Sequence, residues 1–148
     1  MNRMGQSVTS AATARPFGPA LERLRGVGLR PTRQRLALAK LLFDTHDRHV
    51  TAEMLHGEAL RARVRVSLAT VYNTLHQFTD AGLLREIVVD AERSYFATNV
   101  SNHHHLFDEG TRHLHDIPEA DVRFDSLPPL PEGMEVSRVD VIVRIKKS

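Results

Sequence analysis

The sequence predicts an α+β protein: an N-terminal winged helix-turn-helix domain followed by a small α/β domain. Three observations carry that expectation. Four segments before Gly82 repeat apolar residues at helical spacing, each bounded by a cap or a stop residue. After Gly82 the apolar period changes from helical to alternating, as strands require. The charge changes with it: up to Arg85 there are 13 basic and 6 acidic residues, and from Glu86 onward 7 basic and 12 acidic. A basic half joined to an acidic one fits a polyanion-binding module beside a second module, against the plainer reading of a solvated charged surface.

Residues 1–16 are rich in Ser, Thr and Ala and are expected to be a disordered tail. Pro19 to Val27 reads as a short helix with Leu21, Leu24 and Val27 on one face, ended by Gly28. Pro31 opens the next helix, Thr32 to about Thr45, with Leu36, Ala39, Leu42 and Phe43 inward. Asp44 to Val50 is expected to be a polar loop. Thr51 caps a third helix that runs to about Arg61. Arg63 to Val66 is an extended link, and Ser67 caps a fourth helix, Leu68 to Asp80. Its buried stripe is Leu68, Val71, Leu75 and Phe78, and Gly82 stops it. Leu84 to Val89 and Arg93 to Thr98 alternate around Asp90-Ala91-Glu92 as a β-hairpin, the wing. The first domain is expected over 17–98.

The second region, 99–148, is expected to carry strands at His103 to Phe107 and Arg112 to Ile117 and, in the stretch Met134 to Ile145 that alternates for much of its length, a strand core at Val139 to Val143, with Pro128 to Pro131 a rigid connector. Such a short segment makes a weak core alone. It is therefore expected to be a dimerisation domain, stabilised by pairing with a second copy in a homodimer.

The fourth helix has the outward face of a DNA reader. Its stripe leaves Ala69, Thr70, Asn73, His76 and Gln77 outward, with Tyr72 at the edge. A recognition helix inserts its N-terminal end into the major groove, where Ala and Thr methyls suit thymine and Asn suits adenine. Arg30, Arg33, Arg35, Arg65 and Arg85 are placed to neutralise flanking phosphates, which give affinity without sequence information. The bland alternative is an amphipathic helix with a polar outer face.

Five of the nine histidines fall between His103 and His115. Imidazole is a common ligand for metals and haem iron. On strands, alternate residues share a face, so His103 and His105 point one way and His104 the other. An even-length turn would put His103 opposite Asp116 and His104 opposite His115. One face then holds His103, His105 and Asp116, and the other His104, His113 and His115. A solvated polar strand is the plain alternative. For His46, His56 and His76, ordinary surface histidine is the better reading.

The chain has no Cys, which excludes disulfides, thiolate zinc sites and iron–sulfur clusters. No apolar run approaches the roughly 20 residues that span a bilayer, and no signal pattern opens the chain. No membrane partner and a cytoplasmic location are expected. An enzymatic reading fails on chemistry: a hydrolytic metal site needs a positioned general base, and the one nearby candidate, Glu109, sits in a turn.

Gly28-Leu29-Arg30-Pro31-Thr32-Arg33-Gln34-Arg35, then His49-Val50-Thr51-Ala52, then Ser67-Leu68-Ala69-Thr70-Val71-Tyr72-Asn73-Thr74-Leu75 with Ala81-Gly82-Leu83, resemble the ferric uptake regulator (Fur) family in order and spacing. The resemblance covers roughly residues 20–117, and its most specific piece is Ala69-Thr70-Val71-Tyr72. It implies a dimeric, metal-responsive transcription regulator, a repressor type, that binds a double-stranded DNA operator. It implies that Tyr72 and the Arg/Thr start of the second helix touch DNA. Most members carry Arg where this chain has Asn73. Outward face and resemblance together assign DNA contact to Arg30, Thr32, Arg33, Arg35, Ser67, Ala69, Thr70, Tyr72 and Asn73.

The resemblance also implies a regulatory metal site whose positions become His49, Ala97, His103, His105 and Asp116. Ala97 cannot ligate, which leaves His49, His103, His105 and Asp116 for a divalent ion such as Fe, Mn or Zn. A second family site loses its final-strand His to Val139, and Asp108 stands at one place of the family's structural-zinc cysteines. Absent Cys, the His-His-His run and the shortened Pro-rich segment are similar to the iron response regulator (Irr) subgroup. That subgroup implies haem as effector, with the run His103, His104, His105 and the nearby His113 and His115 as candidate haem ligands. Haem would lower DNA binding. Direct response to a divalent metal is the alternative.

Overall fold

The computed structural model describes residues 17–148; the expected tail, 1–16, lies outside the described residues. Among the described residues the fold is α+β, with four helices and two small sheets. The chain divides into two compact units between Val100 and Ser101. No helix of the described residues is long and apolar enough to cross a membrane.

In the first unit α1 spans Gly18–Gly26, α2 Arg33–Phe43, α3 Ala52–Arg61 and α4 Leu68–Asp80. Three of them start on side-chain caps. Thr32 accepts from the backbone N–H of Arg35 at 3.2 Å, Thr51 from Met54 at 3.1 Å and Ser67 from Thr70 at 3.1 Å. Each cap satisfies a donor the helix cannot, and its loss costs about 1 kcal/mol. Two helices stop on glycines in the left-handed region, Gly28 at φ +76° and Gly82 at φ +86°. After α4, the N–H of Gly82 reaches Thr79 and that of Leu83 reaches Phe78, closing the last carbonyls. α3 ends in the same pattern without glycine. Arg63 takes φ +60°, its N–H reaches Leu60, and Val64 reaches back to Ala59.

The core of this unit is built from Leu24, Leu38, Leu42, Leu55, Leu75 and Phe78, all fully buried. The expected stripe on α2 needs correction: Leu38 joins Ala39 and Leu42 in the core, while Leu36 and Phe43 are half-buried at its edge. On α4 Thr74 is buried with Val71, Leu75 and Phe78, and Leu68 is half-buried.

The wing strands are β2, Arg85–Asp90, and β3, Arg93–Ala97, paired antiparallel with a register shift near the turn. A third strand, β1, His49–Val50, joins β3 on its other edge, where loop was expected. Two residues are too few for periodicity to reveal. Long-range bonds make them a strand: the N–H of Arg48 donates to the Thr98 hydroxyl at 2.9 Å, and the N–H of Thr98 to the Arg48 carbonyl at 3.0 Å.

The second unit is a mixed sheet in the order β5-β4-β6, with β4 His103–Asp108, β5 Leu114–Pro118 and β6 Ile142–Ile145. A single 3-10 turn, Glu119–Asp121, follows β5. β4 pairs antiparallel with β5 and parallel with β6. Three expectations shift. β5 starts at Leu114, because Arg112 is in the left-handed region at φ +62° and belongs to the turn. β6 starts at Ile142, not Val139. The β4–β5 register sets His105 opposite Asp116, His103 opposite Pro118 and Leu106 opposite His115. That is a two-residue offset from the expected pairing, set by a longer turn. A shift by two keeps each residue on its face, so His103, His105 and Asp116 still share one. The unit buries Phe107 and Leu114 but leaves Phe124, Leu127, Leu130, Met134, Val143 and Ile145 exposed.

Candidate metal centre and recognition helix

β4 brings His103 and His105 to one face of the second unit, and β5 brings Asp116 to the same face. Both imidazoles are buried, His105 to within 1% of full burial. The ligand atoms of His103, His105 and Asp116 lie within 4.8 Å of one another. His103 Nε2 is 2.9 Å, and His105 Nε2 3.4 Å, from the same oxygen, Asp116 Oδ1.

The tautomer of His103 follows from its other nitrogen. Nδ1 is 2.7 Å from the Ser101 carbonyl oxygen. A carbonyl only accepts, so Nδ1 carries a proton and, in the neutral ring, Nε2 holds the lone pair. That lone pair then faces a carboxylate oxygen. Two electron-rich atoms so close demand positive charge between them, either a second ring proton or a metal cation. Two imidazole nitrogens and a carboxylate are the donors that first-row divalent ions take, and a backbone carbonyl fixing the far nitrogen is how a ligating histidine is usually held. The residues fit a metal.

The remaining histidines of the run lie elsewhere. His104 is buried on the opposite face, its Nδ1 accepting from the backbone N–H of Val141 at 3.1 Å and its ring edge-on to Phe124. His113 and His115 are exposed, with ring centroids 6.2 Å apart. So the five histidines do not form one cluster. His49 belongs to the first unit, in β1 opposite Ala97. A bidentate ion pair from Arg48 to Glu58 on α3 anchors the residue before it.

In the first unit the residues assigned to DNA fall on the α2 start and on α4. Thr32 and Ser67 are caps, and Ser67 also donates its hydroxyl to Thr70 at 2.9 Å. Arg30, Arg33, Ala69 and Asn73 are exposed, with Thr70 half-buried. Arg35 is half-buried and bound to Gln77 and to the Arg30 carbonyl. The Tyr72 hydroxyl donates to Glu53 Oε1 at 2.8 Å. That bond to a carboxylate raises the phenol pKa, with burial and the Glu53 charge adding to it. Glu53, Gln77, Ser101 and Val141 are partners that sequence reading missed. Their roles rest on contacts between distant segments, and no local pattern marks them.

The sequence pattern of the Ferric uptake regulator family matches residues 26–141. The chain belongs to that family. It is a family of DNA-binding transcription regulators, not of enzymes. The peroxide-responsive repressor PerR of Staphylococcus epidermidis is 35% identical over 86 residues, 58% of this chain. The match covers 57% of that repressor, so the chain spans little over half the length of the curated relatives it matches. Among solved structures, the ferric uptake regulator of Pseudomonas aeruginosa with manganese is 26% identical, covering 86% of this chain and 97% of that one at a TM-score of 0.66. A zinc-bound manganese uptake regulator is also 26% identical, covering 87% and 99% at a TM-score of 0.61.

Proposed function

We propose that this chain is a metal-responsive transcription regulator acting as a homodimer on a double-stranded DNA operator in the cytoplasm. The observation that carries the proposal is the His103 lone pair held by Ser101 against the Asp116 carboxylate, with His105 beside it. His103, His105 and Asp116 would hold a divalent ion of the Fe, Mn or Zn type, and the family resemblance adds His49 to the donor set. The ion supplies a compact double positive charge that balances the carboxylate. Residues 17–98 bind DNA, through Arg30, Thr32 and Arg33 at the α2 start and through Ser67, Ala69, Thr70, Tyr72 and Asn73 on α4. Residues 99–148 pair two copies and sense the effector. A ligand shifts such an equilibrium only by binding one state better. Relatives solved with manganese or zinc support the metal class.

The test is operator binding against metal. Purified chain, stripped by chelator, should regain affinity on adding Mn(II), Zn(II) or Fe(II). The paired substitution His49→Ala and His103→Ala should abolish that gain without unfolding the protein. Undiminished metal response in the double variant sinks the assignment.

One observation favours a second reading, the haem response of the Irr subgroup. His113 and His115 are exposed side by side and free of the metal face, where axial ligation is sterically open. Haem titration should then give a bis-histidine absorption spectrum that His113→Ala and His115→Ala remove, and haem should lower operator affinity. An unaltered affinity at saturating haem rejects this reading.

A further inference from the structure

His104 is the middle member of the histidine run, and it is the one that faces away from Asp116. The residue is 5% exposed. The hydrogen bond from Val141 determines its chemistry. A backbone N–H only donates, so His104 Nδ1 is the acceptor and the proton of the neutral ring sits on Nε2. In this tautomer neither nitrogen has a lone pair to give: one is engaged by Val141 and the other is protonated. His104 is therefore built into the unit as an acceptor, not as a ligand.

What it accepts from matters. Val141 is the residue that leads into β6, and both its backbone polar groups are held by the histidine run. Its carbonyl takes the N–H of His105 at 3.0 Å, and its N–H goes to the ring of His104. The side chain thus takes a bond that a strand would give to a backbone carbonyl, which is why the ladder begins only at Ile142. β6 is the edge strand of this sheet, with Val143 and Ile145 exposed. An open, apolar edge is where strands from other molecules pair. On one strand, β4, His103 and His105 point to the candidate metal face while His104 between them grips the entrance to the edge strand.

We propose that His104 is the positioning residue that couples the His103/His105/Asp116 face to the order of β6. The inference rests on the metal reading above. Ordering of His103 and His105 around an ion fixes the β4 backbone on both sides of His104. Its ring is then held still against Val141, and β6 is held with it. Without an ion the same bond is made on a looser strand and protects β6 less.

The test uses the full chain with Zn(II) as probe and two substitutions. Asn sets its amide oxygen near the place of imidazole Nδ1, so His104→Asn keeps an acceptor for Val141 while removing the imidazole. His104→Leu fills the space and removes the acceptor. Zinc stoichiometry by equilibrium dialysis and amide exchange of Val141 to Ile145 are read on the same samples. In the native chain and in His104→Asn, zinc should slow exchange of this segment about five- to ten-fold, the size of one net hydrogen bond. In His104→Leu zinc should still bind, with less than a two-fold change in exchange. His104→Asn that binds zinc without slowing exchange, as His104→Leu is expected to do, would show that the acceptor is not what couples and overturn the proposal; loss of zinc binding in both variants would make the imidazole a ligand and overturn it too. So would a native response in His104→Leu. If His104→Leu does not fold, the comparison of native chain with His104→Asn decides. Native chain that binds zinc with no change at β6 removes the coupling alone, whereas native chain that binds no zinc removes the metal reading and the coupling together.

Discussion

Arg35 and Gln77, 42 residues apart in sequence, are joined by two hydrogen bonds to one oxygen: Arg35 Nε and Nη2 donate to Gln77 Oε1 at 3.2 and 2.9 Å. Arg35 Nη1 donates at the same time to the Arg30 carbonyl at 2.8 Å. One guanidinium therefore fastens the chain before α2, α2 itself and the outer face of α4. Its planar fork suits that task, which Lys could not perform.

Arg35 and Arg33 should consequently separate in their effects. Arg35→Ala is expected to cost about 1 kcal/mol of stability, because charged hydrogen bonds are lost at a half-buried site. Arg33→Ala should leave stability within about 0.5 kcal/mol, as exposed substitutions do. In DNA titrations across salt, Arg33→Ala should weaken all sequences alike and lower the salt slope by about one. Urea denaturation that finds both variants equally stable would contradict the clamp.

Glu53 shows how a partner can oppose a function. Its carboxylate holds the Tyr72 hydroxyl and puts a negative charge on the face proposed to meet DNA. Glu53→Gln should raise operator affinity about two- to five-fold at low salt, with the gain fading as salt screens it. The Tyr72 phenol, held above its usual range by Glu53, should titrate closer to that range in the variant. Ultraviolet titration of the phenolate checks this, and an unchanged Tyr72 titration would remove the contact from consideration.

The four helices and the wing were legible because their signals are local. A cap at Thr32, Thr51 or Ser67 and a glycine at position 28 or 82 act within one turn of the helix they bound. Which histidines share a face was legible for the same reason, since alternation needs no knowledge of the turn. The register was not: it depends on the turn length, and the turn is lengthened by Arg112 in a conformation that sequence does not announce. β1 was hidden because its two residues become a strand only by pairing with Ala97 and Phe96 of β3, and β6 was overextended because the ring of His104 takes the Val141 N–H. The separate hydrogen bonds of His103 to Ser101 and of His104 to Val141 were likewise hidden. Neither residue type hints at a partner.

Arg63 offers a stabilising change. At φ +60° it occupies the left-handed region that side chains other than glycine enter at a cost. Ala62, Arg63 and Val64 otherwise close α3 as glycine-ended helices close. Arg63→Gly should raise stability by about 0.5–1 kcal/mol, the relief at a left-handed cap less the extra freedom of the unfolded chain. A rise in the urea midpoint with an unchanged denaturant slope is the expected result. A fall would mean that the Arg63 side chain contributes more than its backbone costs.

Asp108 sets an acid limit on the β4–β5 hairpin. Its Oδ1 accepts from the backbone N–H groups of Gly110 at 2.9 Å and Thr111 at 3.2 Å, closing the turn. These bonds, Thr111 first and Gly110 next, favour the ionised carboxylate and hold its pKa below the usual 3.8. The folded pKa is thus lower than the unfolded one, so the folded state binds the proton less readily. The stabilisation is present in full above 3.8 and is lost as pH falls through the lower folded value. Asp108→Asn keeps an oxygen for both N–H groups but has no proton to take up. At neutral pH the variant should be slightly less stable, because a neutral amide accepts more weakly than a carboxylate. Its hairpin should then lose less protection than the native one on acidification. Amide exchange of Gly110 and Thr111, followed from neutral to acid pH and corrected for intrinsic rates, measures the difference directly. Parallel acid curves for native and variant chains would show that Asp108 does not hold the turn through its charge.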